Sequence, residues 1–313
     1  MIRLPRRTAG RLLLPLPAAA VAVFVLLALF AAGPVRAEAP SLPLGPAEGG
    51  WPVLEDLVDG ELQAELEELV NADRQRAGLV RKRRLAVGVV DLSDPEHVRF
   101  ARVNGRVPLY AASLSKIAIL LAAEEAIAEG VLEDTEEVRR ELNDMIRVSS
   151  NSDATRVIDR IGLDRIEAAV KRWGLYDERR GGGLWVGKPY GRSDVRHGDP
   201  VANLSHGANV VQVCRFYYLL ATGRLVDREH SERMLETLVD PGLHHKFVAV
   251  LDQRAPRARI FRKSGTFRQW HSDSVIVWGD VWRRYILVAM VEDDAGESVL
   301  RKLLPAVEEI LRP

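Results

Sequence analysis

Cysteine is nearly missing from this 313-residue chain, with Cys214 the only one, which excludes an intrachain disulfide and a cysteine-built zinc site. Cys214 lies in the apolar helical run Val210–Leu220 and reads as a small buried hydrophobe rather than a reactive thiol. Metal-ligand spacing is missing as well. None of the seven histidines stands in a His-Glu-x-x-His or comparable pattern, and His244-His245 are adjacent rather than on one helical face. No metal or other cofactor is expected. Net charge is also lacking, with 44 Lys+Arg against 44 Asp+Glu. The balance conceals a split: Arg3, Arg6, Arg7, Arg11 and Arg36 precede the first acid, and without residues 1–37 the chain carries 39 basic and 44 acidic residues, a net of −5. A mildly acidic chain without a basic stripe has no electrostatic footprint for nucleic acid. The run Arg81-Lys82-Arg83-Arg84 reads as a solvated turn before a strand. Beyond the N-terminal segment there is no repeat or low-complexity array, and 47% hydrophobic with 28% charged residues excludes disorder, collagen and coiled coil.

Leu12–Ala32 carries no charge, follows an Arg-rich start and leads to Val35-Arg36-Ala37, with small residues where signal peptidase reads. An export signal is expected, and with it a periplasmic or extracellular location. The apolar run also reaches the ~20 residues that span a bilayer, so an uncleaved anchor is the alternative, with membrane contact through residues 12–32 alone. Arg6-Arg7 hints at twin-arginine export, but Ala9-Gly10 stand where bulky apolar residues are usual. Residues 39–52, rich in Pro and Gly, form a tether (the linker spanning 38–50), and the folded body begins near Trp51.

Val53–Leu79 repeats apolar residues at helical spacing, with a break expected at Gly60. Arg84–Ser93 and Val98–Val103 are β-rich runs joined by a polar turn and pair as a hairpin. Helices are predicted at Ile117–Glu129, Glu136–Val148, Ala154–Ile161, Leu163–Trp173 and Ala208–Leu220, several ended by Gly. Strands return at Ile260–Lys263, Asp273–Gly279 and Arg284–Val291, and Glu297–Leu311 closes as an amphipathic helix. Both chain ends thus build one sheet and the middle forms a helical lobe: an α/β (α+β) discontinuous domain (51–112 with 245–313) holding an antiparallel sheet flanked by N- and C-terminal helices, plus an all-α inserted domain (113–244). The crevice between the lobes is the place to look for a site.

Ser113-Leu114-Ser115-Lys116 opens the long apolar helix, and at i and i+3 Ser113 and Lys116 share a face. A serine hydroxyl becomes a good nucleophile when a base takes its proton, and a lysine one turn on can do so if its own charge is suppressed. With 14 serines and 7 lysines in the chain, such a pair alone is weak evidence, and an N-cap serine with a surface lysine is the plainer reading. Two further stretches change the odds: Ser149-Ser150-Asn151 ends a helix, and Lys263-Ser264-Gly265-Thr266 lies on a strand. In this order, on helix start, loop and strand, the three elements resemble the class A β-lactamase and penicillin-binding serine transferase superfamily, from about Leu54 to Leu311. The resemblance implies that Ser113 is the acyl-forming nucleophile, Lys116 assists its deprotonation, and Ser149 relays a proton to the departing nitrogen. It further implies that Asn151 holds the substrate's side-chain amide and that Lys263, Ser264, Gly265 and Thr266 form the carboxylate-binding strand. The N–H groups of Ser113 and Thr266 would make the oxyanion hole. Lys263 near Lys116 is expected to favour a neutral Lys116, since like charges disfavour the protonated form.

The chain departs from the class A pattern in one loop. Between Arg179 and Asn203 there is no glutamate to activate a hydrolytic water, only Asp194 and Asp199, while Glu178 precedes the loop without the family's Leu-Asn. The position expected for the glutamate falls near Pro189. The segment from Lys116 to Ser149 is also shorter than in typical class A enzymes. The same loop contains Gly182-x-x-x-x-Gly187-Lys188, a phosphate-loop spelling that fails where Pro189 replaces Ser/Thr. Gly181–Gly191 reads either as a flexible surface loop or as a substrate-facing loop carrying Trp185 and Tyr190. His271 is placed at the pocket rim or on the plain surface.

The reading is an exported active-site serine hydrolase of class A β-lactamase type. It is acylated at Ser113 by a small β-lactam or peptidoglycan-peptide substrate, with hydrolysis of the ester left open. The alternatives are a D-alanyl-D-alanine carboxypeptidase or penicillin-binding protein, and a penicillin-recognising sensor or impaired binding relative; with the last helix ending near Pro313, no appended signalling domain is expected. A monomer without nucleic-acid partners is expected.

Overall fold

The computed structural model describes Leu42, residues 52–191 and residues 194–313, all inside the compact unit Ala39–Pro313. The expected export segment, its cleavage motif, most of the tether and Trp51 lie outside the described residues.

Polar side chains decide where the first helices start. Asp59 accepts from the Leu62 N–H at 2.8 Å and opens α1 (Gly60–Ala72), and Asp73 accepts from the Arg76 N–H at 2.9 Å and opens α2 (Arg74–Arg81). The single helix expected over Val53–Leu79 is therefore a 3-10 turn, Leu54–Leu57, followed by two helices. Gly60 begins a helix rather than breaking one, because the capping carboxylate stands just before it. The predicted hairpin forms from β1 (Leu85–Asp91) and β2 (Arg99–Val103), antiparallel with Asp91 opposite Arg99.

Then come β3 (Leu109–Tyr110), a 3-10 turn at Ala112–Ser115, and α3 (Lys116–Ala128). The helical middle continues with α4 (Glu136–Arg147), α5 (Asn151–Ile161) and α6 (Leu163–Arg172). Short strands follow: β4 (Tyr176–Asp177), β5 (Gly182–Gly183), β6 (Trp185–Val186) and β7 (His206–Ala208). After α7 (Val210–Ala221), α8 (Arg228–Leu238) and α9 (Phe247–Arg254), the long strands β8 (Arg259–Phe267), β9 (Trp270–Trp278) and β10 (Arg284–Glu292) lead into α10 (Gly296–Leu311). The periodic pattern did not reveal α8, α9 or the short strands.

The main sheet runs β2-β1-β10-β9-β8, every neighbouring pair antiparallel. One face packs against α3, α7 and their neighbours through residues such as Phe100, Ile276, Ile286 and Val288; the other packs against α1 and α10 through Val87, Val277, Leu287 and Ala289. Alternation along each strand separates the two apolar sets. The sheet is built by both chain ends and flanked by N- and C-terminal helices, with a mainly helical middle, as the sequence predicts. Among the described residues, no helix is long and apolar enough to cross a membrane.

Candidate active site

Helix α3 is apolar on every side from Ile117 to Ala123, and a helix segment without a polar stripe must be buried. Its first residue, Lys116, is carried in with it and has no exposed surface. Burial pushes the Lys116 amine from its ordinary 10.5 down to about 7, against the opposing pull of Asp153. Lys116 Nζ donates to the Ser149 carbonyl oxygen at 2.6 Å and to Asn151 Oδ1 at 2.8 Å, and lies 3.5 Å from Ser149 Oγ. A neutral amine has two N–H groups and one lone pair, so the two short bonds use its protons and leave the pair available. Ser113 stands half-buried in the 3-10 turn ahead of Lys116, and no hydrogen bond joins the two side chains. The residue before Ser113, Ala112, has φ 50, a left-handed conformation that costs an alanine about 1 kcal/mol or more.

Ser149 and Asn151 come from the junction of α4 and α5, where Ser150 caps α5 by accepting from the Asp153 N–H at 3.2 Å. Ser149 itself has φ 61. Its hydroxyl receives a 2.9 Å hydrogen bond from Lys263 Nζ, which also donates to the Ser264 carbonyl oxygen at 2.9 Å. Lys263 is buried, and its amine is held well below the ordinary lysine range by burial first and by the neighbouring charge of Lys116 second. For Lys116 burial is the cause of the lowering and Asp153 opposes it; the expected influence of Lys263 on Lys116 is not among the causes, whereas Lys116 does lower Lys263.

Strand β8 brings the remaining residues. Side chains alternate along it: Lys263 and Gly265 face the helical middle, while Arg262, Ser264 and Thr266 face the opposite way. Gly265 is needed for close approach, since a Cβ there would sit 2.2 Å from the Ala111 carbonyl oxygen and 2.8 Å from the Leu114 nitrogen. The strand backbone thus lies directly on the turn that holds Ser113. Ser272 Oγ on β9 ties the same turn down, donating to the Ala111 carbonyl at 2.9 Å. Ser264 is buried and Thr266 exposed.

Lys246, just ahead of α9, carried no sequence signal. It has φ 53, is fully buried, and donates to the carbonyl oxygens of Gly265 (2.6 Å) and Ser272 (3.0 Å) and to Thr266 Oγ1 (2.8 Å). Burial lowers its amine to about 8, with Asp273 resisting. An Arg262–Asp273 pair anchors this segment: the guanidinium donates to both carboxylate oxygens at 2.7 and 3.0 Å and to the carbonyls of Leu243 and His245. His271, opposite Thr266, lies against Gly296 at the start of α10, on the sheet face away from Ser272, and not at a rim beside Ser113.

The described residues of the segment that lacks a glutamate are held by contacts within it. Gly182–Gly187 is buried, with Trp185 turned inward and its indole N–H on the His197 carbonyl at 2.9 Å, so the surface-loop expectation fails for these residues. Asp199 accepts from the N–H groups of Val201, Ala202 and Leu204 and from the Tyr176 hydroxyl. Its carboxylate is fully engaged in closing that turn. Glu178 and Asp194 are exposed. Tyr190 is what reaches the cluster: its hydroxyl lies 2.9 Å from Ser115 Oγ and 3.2 Å from the Ala112 carbonyl, and Lys116 Nζ stands 4.5 Å above its ring centre. His206 packs at 4.4 Å on the ring and is lowered to about 4 by burial, so it is neutral at pH 7.

Lys116, Ser149, Asn151 and Lys263 therefore form one hydrogen-bonded group, with Ser113 on the adjoining turn and Gly265 in contact with it. Tyr110, Phe267 and Trp270 form an aromatic shelf next to Thr266, with ring centres 5.4–6.3 Å apart. A cavity of about 530 Å³ lined by Glu61, Arg99 and Trp282, and another of about 300 Å³ lined by Glu124, Arg139 and Arg233, do not border Ser113. Among the described residues no cluster of His, Cys, Asp and Glu could hold a metal ion.

The geometry agrees with what the chain resembles. Among solved structures it is similar to a beta-lactamase from Sphaerobacter thermophilus (16% identity, TM-score 0.60, covering 79% of this chain and 95% of that one). It is also similar to a mutant of PBP-A in acyl-enzyme complex with penicillin G (19% identity, TM-score 0.60, 79% and 95%). A third is a variant of the last common ancestor of Gram-negative bacteria beta-lactamase class A (16% identity, TM-score 0.59, 76% and 96%). At these identities the likeness carries the fold alone. No curated protein matches the chain. The sequence profile of the beta-lactamase enzyme family matches residues 62–307, most of the chain. With that match the chain belongs to the beta-lactamase enzyme family and is a serine hydrolase of the β-lactamase and penicillin-binding superfamily.

Proposed function

We propose that this protein forms an acyl-enzyme at Ser113 with β-lactams or with D-alanyl amides of peptidoglycan peptides. Ser113 Oγ gives its proton to the neutral Lys116 amine as it attacks the carbonyl carbon, and the resulting oxyanion is held by the N–H groups of Ser113 and Thr266. When the C–N bond breaks, the departing nitrogen takes a proton from Ser149 Oγ, which is replenished from Lys116. Lys263 binds the substrate carboxylate; Ser264 and Thr266, whose side chains face away from Ser149, take part through the backbone of the edge strand β8. Gly265 allows that strand to lie on the nucleophile's turn, and the Asn151 amide N–H meets the acyl side chain.

The observation that supports this most is Ser149 Oγ lying within 2.9 Å of Lys263 Nζ and 3.5 Å of Lys116 Nζ, a hydroxyl between two buried amines. That is a proton path rather than a structural cap, because Ser150, not Ser149, caps α5. A D-alanyl-D-alanine carboxypeptidase is the second reading, favoured by the engagement of Asp199 and the exposure of Glu178 and Asp194. Export through residues 12–32, a monomeric state and the two-part division at 113 and 244 complete the proposal, resting on sequence pattern.

The test is a covalent one. The full chain incubated with a chromogenic β-lactam should release product or carry one acyl adduct by intact mass, and Ser113→Ala should do neither. An adduct surviving in Ser113→Ala, or none in the unaltered chain, refutes the assignment. Added D-Ala-D-Ala peptide then separates peptidase from lactamase.

A further inference from the structure

Hydrolysis of an ester on Ser113 requires a water molecule beside the acyl carbon and a group to take its proton. In the cluster described above the Lys263 amine is engaged with Ser149 Oγ and the Ser264 carbonyl, each at 2.9 Å, while the Lys116 amine, one turn beyond Ser113, is a group suited to accept the proton. Its neighbours account for the space around it: the Ser149 carbonyl at 2.6 Å, Asn151 Oδ1 at 2.8 Å, and the face of the Tyr190 ring at 4.5 Å. A water bonded to Nζ stands about 2.8 Å away, and the gap between amine and ring is too narrow to hold one.

Other carboxylates do not take over. Asp153 accepts from the Arg156 guanidinium and the Asp153 N–H is capped by Ser150. Asp199 closes its own turn.

Tyr190 is also fixed in place. Its hydroxyl meets Ser115 Oγ and the Ala112 carbonyl on the nucleophile's own turn, its backbone carbonyl accepts from Thr155 Oγ1 at 3.0 Å, and its ring rests on His206. The preceding Pro189 restricts the backbone that delivers it.

From this we propose that Tyr190 is a shield: it covers the Lys116 face from which a hydrolytic water would be activated, so the acyl group on Ser113 persists instead of being released to water. The inference rests on acylation at Ser113 and concerns only the second half of the reaction. In that half, water oxygen would bond to the ester carbon, the Ser113 C–O bond would break, and the water proton would pass through a base to Ser113 Oγ. Tyr190 removes the room for the first participant. Tyr190 is thus a positioning residue that selects among acceptors by excluding the smallest one from the base.

The test uses the full chain and benzylpenicillin. After excess ligand is removed, intact mass follows the adduct over time in the unaltered protein and in Tyr190→Ala, Tyr190→Ser and Tyr190→Phe. A persistent adduct is expected in the unaltered protein and in Tyr190→Phe, which keeps the ring. Loss should be accelerated about tenfold or more in the two variants that open the space. Faster release is a gain that a destabilised fold does not produce. Should both small-residue variants fail to fold, the unaltered chain and Tyr190→Phe still decide: continuous product release without an accumulating adduct overturns the shield while leaving acylation at Ser113 intact. Equal adduct lifetimes in Tyr190→Ala and the unaltered chain also overturn it. Absence of both adduct and product instead refutes the acylation reading on which the shield depends.

Discussion

The pH dependence of acylation follows from the burial of one amine. An ordinary lysine with a pKa of 10.5 is almost wholly protonated at pH 7, and lowering it to about 7 raises the neutral fraction there by roughly a thousandfold. The cause is burial of the amine at the start of the apolar helix α3, which outweighs the opposing pull of Asp153. If neutral Lys116 takes the Ser113 proton, the acylation rate should rise with pH as the amine loses its proton. The rate should be about one tenth of its plateau at pH 6, half at pH 7 and nearly flat above pH 8. Stopped-flow acylation by a chromogenic β-lactam from pH 5.5 to 9 measures this. Lys116→Arg keeps a cation that cannot give up its proton and should depress the plateau by about 10³ with no rising limb near 7. A rate independent of pH across this range, or one still climbing past pH 9, would refute Lys116 as the base.

Three other perturbations probe the supports of the site. Asp273→Ala strands the buried Arg262 guanidinium and should cost about 3–5 kcal/mol in urea unfolding, with unchanged stability as the contrary result; Asp273 has no exposed surface. Gly265→Ala forces a Cβ into the Ala111 carbonyl, so β8 must move off the Ser113 turn; acylation should fall about 10²-fold while circular dichroism stays native, and full activity would contradict the packing. Lys246→Met removes the donor that holds the Gly265 and Ser272 carbonyl oxygens and Thr266 Oγ1 and should raise KM about tenfold, with an unchanged KM as the contrary result.

Much of the architecture was legible because burial leaves a period in the sequence. The strands β1 and β2, the helices α3 to α7 and the three long C-terminal strands all fall where alternation or helical spacing places them, within a few residues at their ends. The failures have local causes. Asp59 and Asp73 divide a continuous apolar pattern because each carboxylate offers its oxygen to a helix start, a contact that periodicity does not register. The strands β3–β7 span only two or three residues each, and β3, β6 and β7 are held by partners distant in the chain, as Leu109 is by Ala208. Nothing in so short a segment specifies a strand by itself.

The site was legible by spelling but not by environment. Ser113, Lys116, Ser149, Asn151 and the Lys263–Thr266 stretch could be picked out as motifs, yet no motif states that Lys116 and Lys263 have lost their solvent or that burial exceeds their mutual repulsion. Lys246 had no spelling at all. One clue lay in composition: of seven lysines in the chain, Lys116, Lys246 and Lys263 are buried, while most cations are arginines. A buried arginine stays charged, whereas a buried lysine can become neutral and move a proton. The missing glutamate was a positive signal in disguise, since the position expected for it lies within one residue of Tyr190. An aromatic ring there does chemically the reverse of a carboxylate: it offers no proton acceptor, and its face attracts the protonated form of the amine, so the lowering of Lys116 comes from burial as a whole and against the ring's own pull. The ring proposed above to withhold water from an acyl group on Ser113 is therefore not what frees the amine to take the Ser113 proton, and in that proposal attack and release answer to different contacts of one lysine.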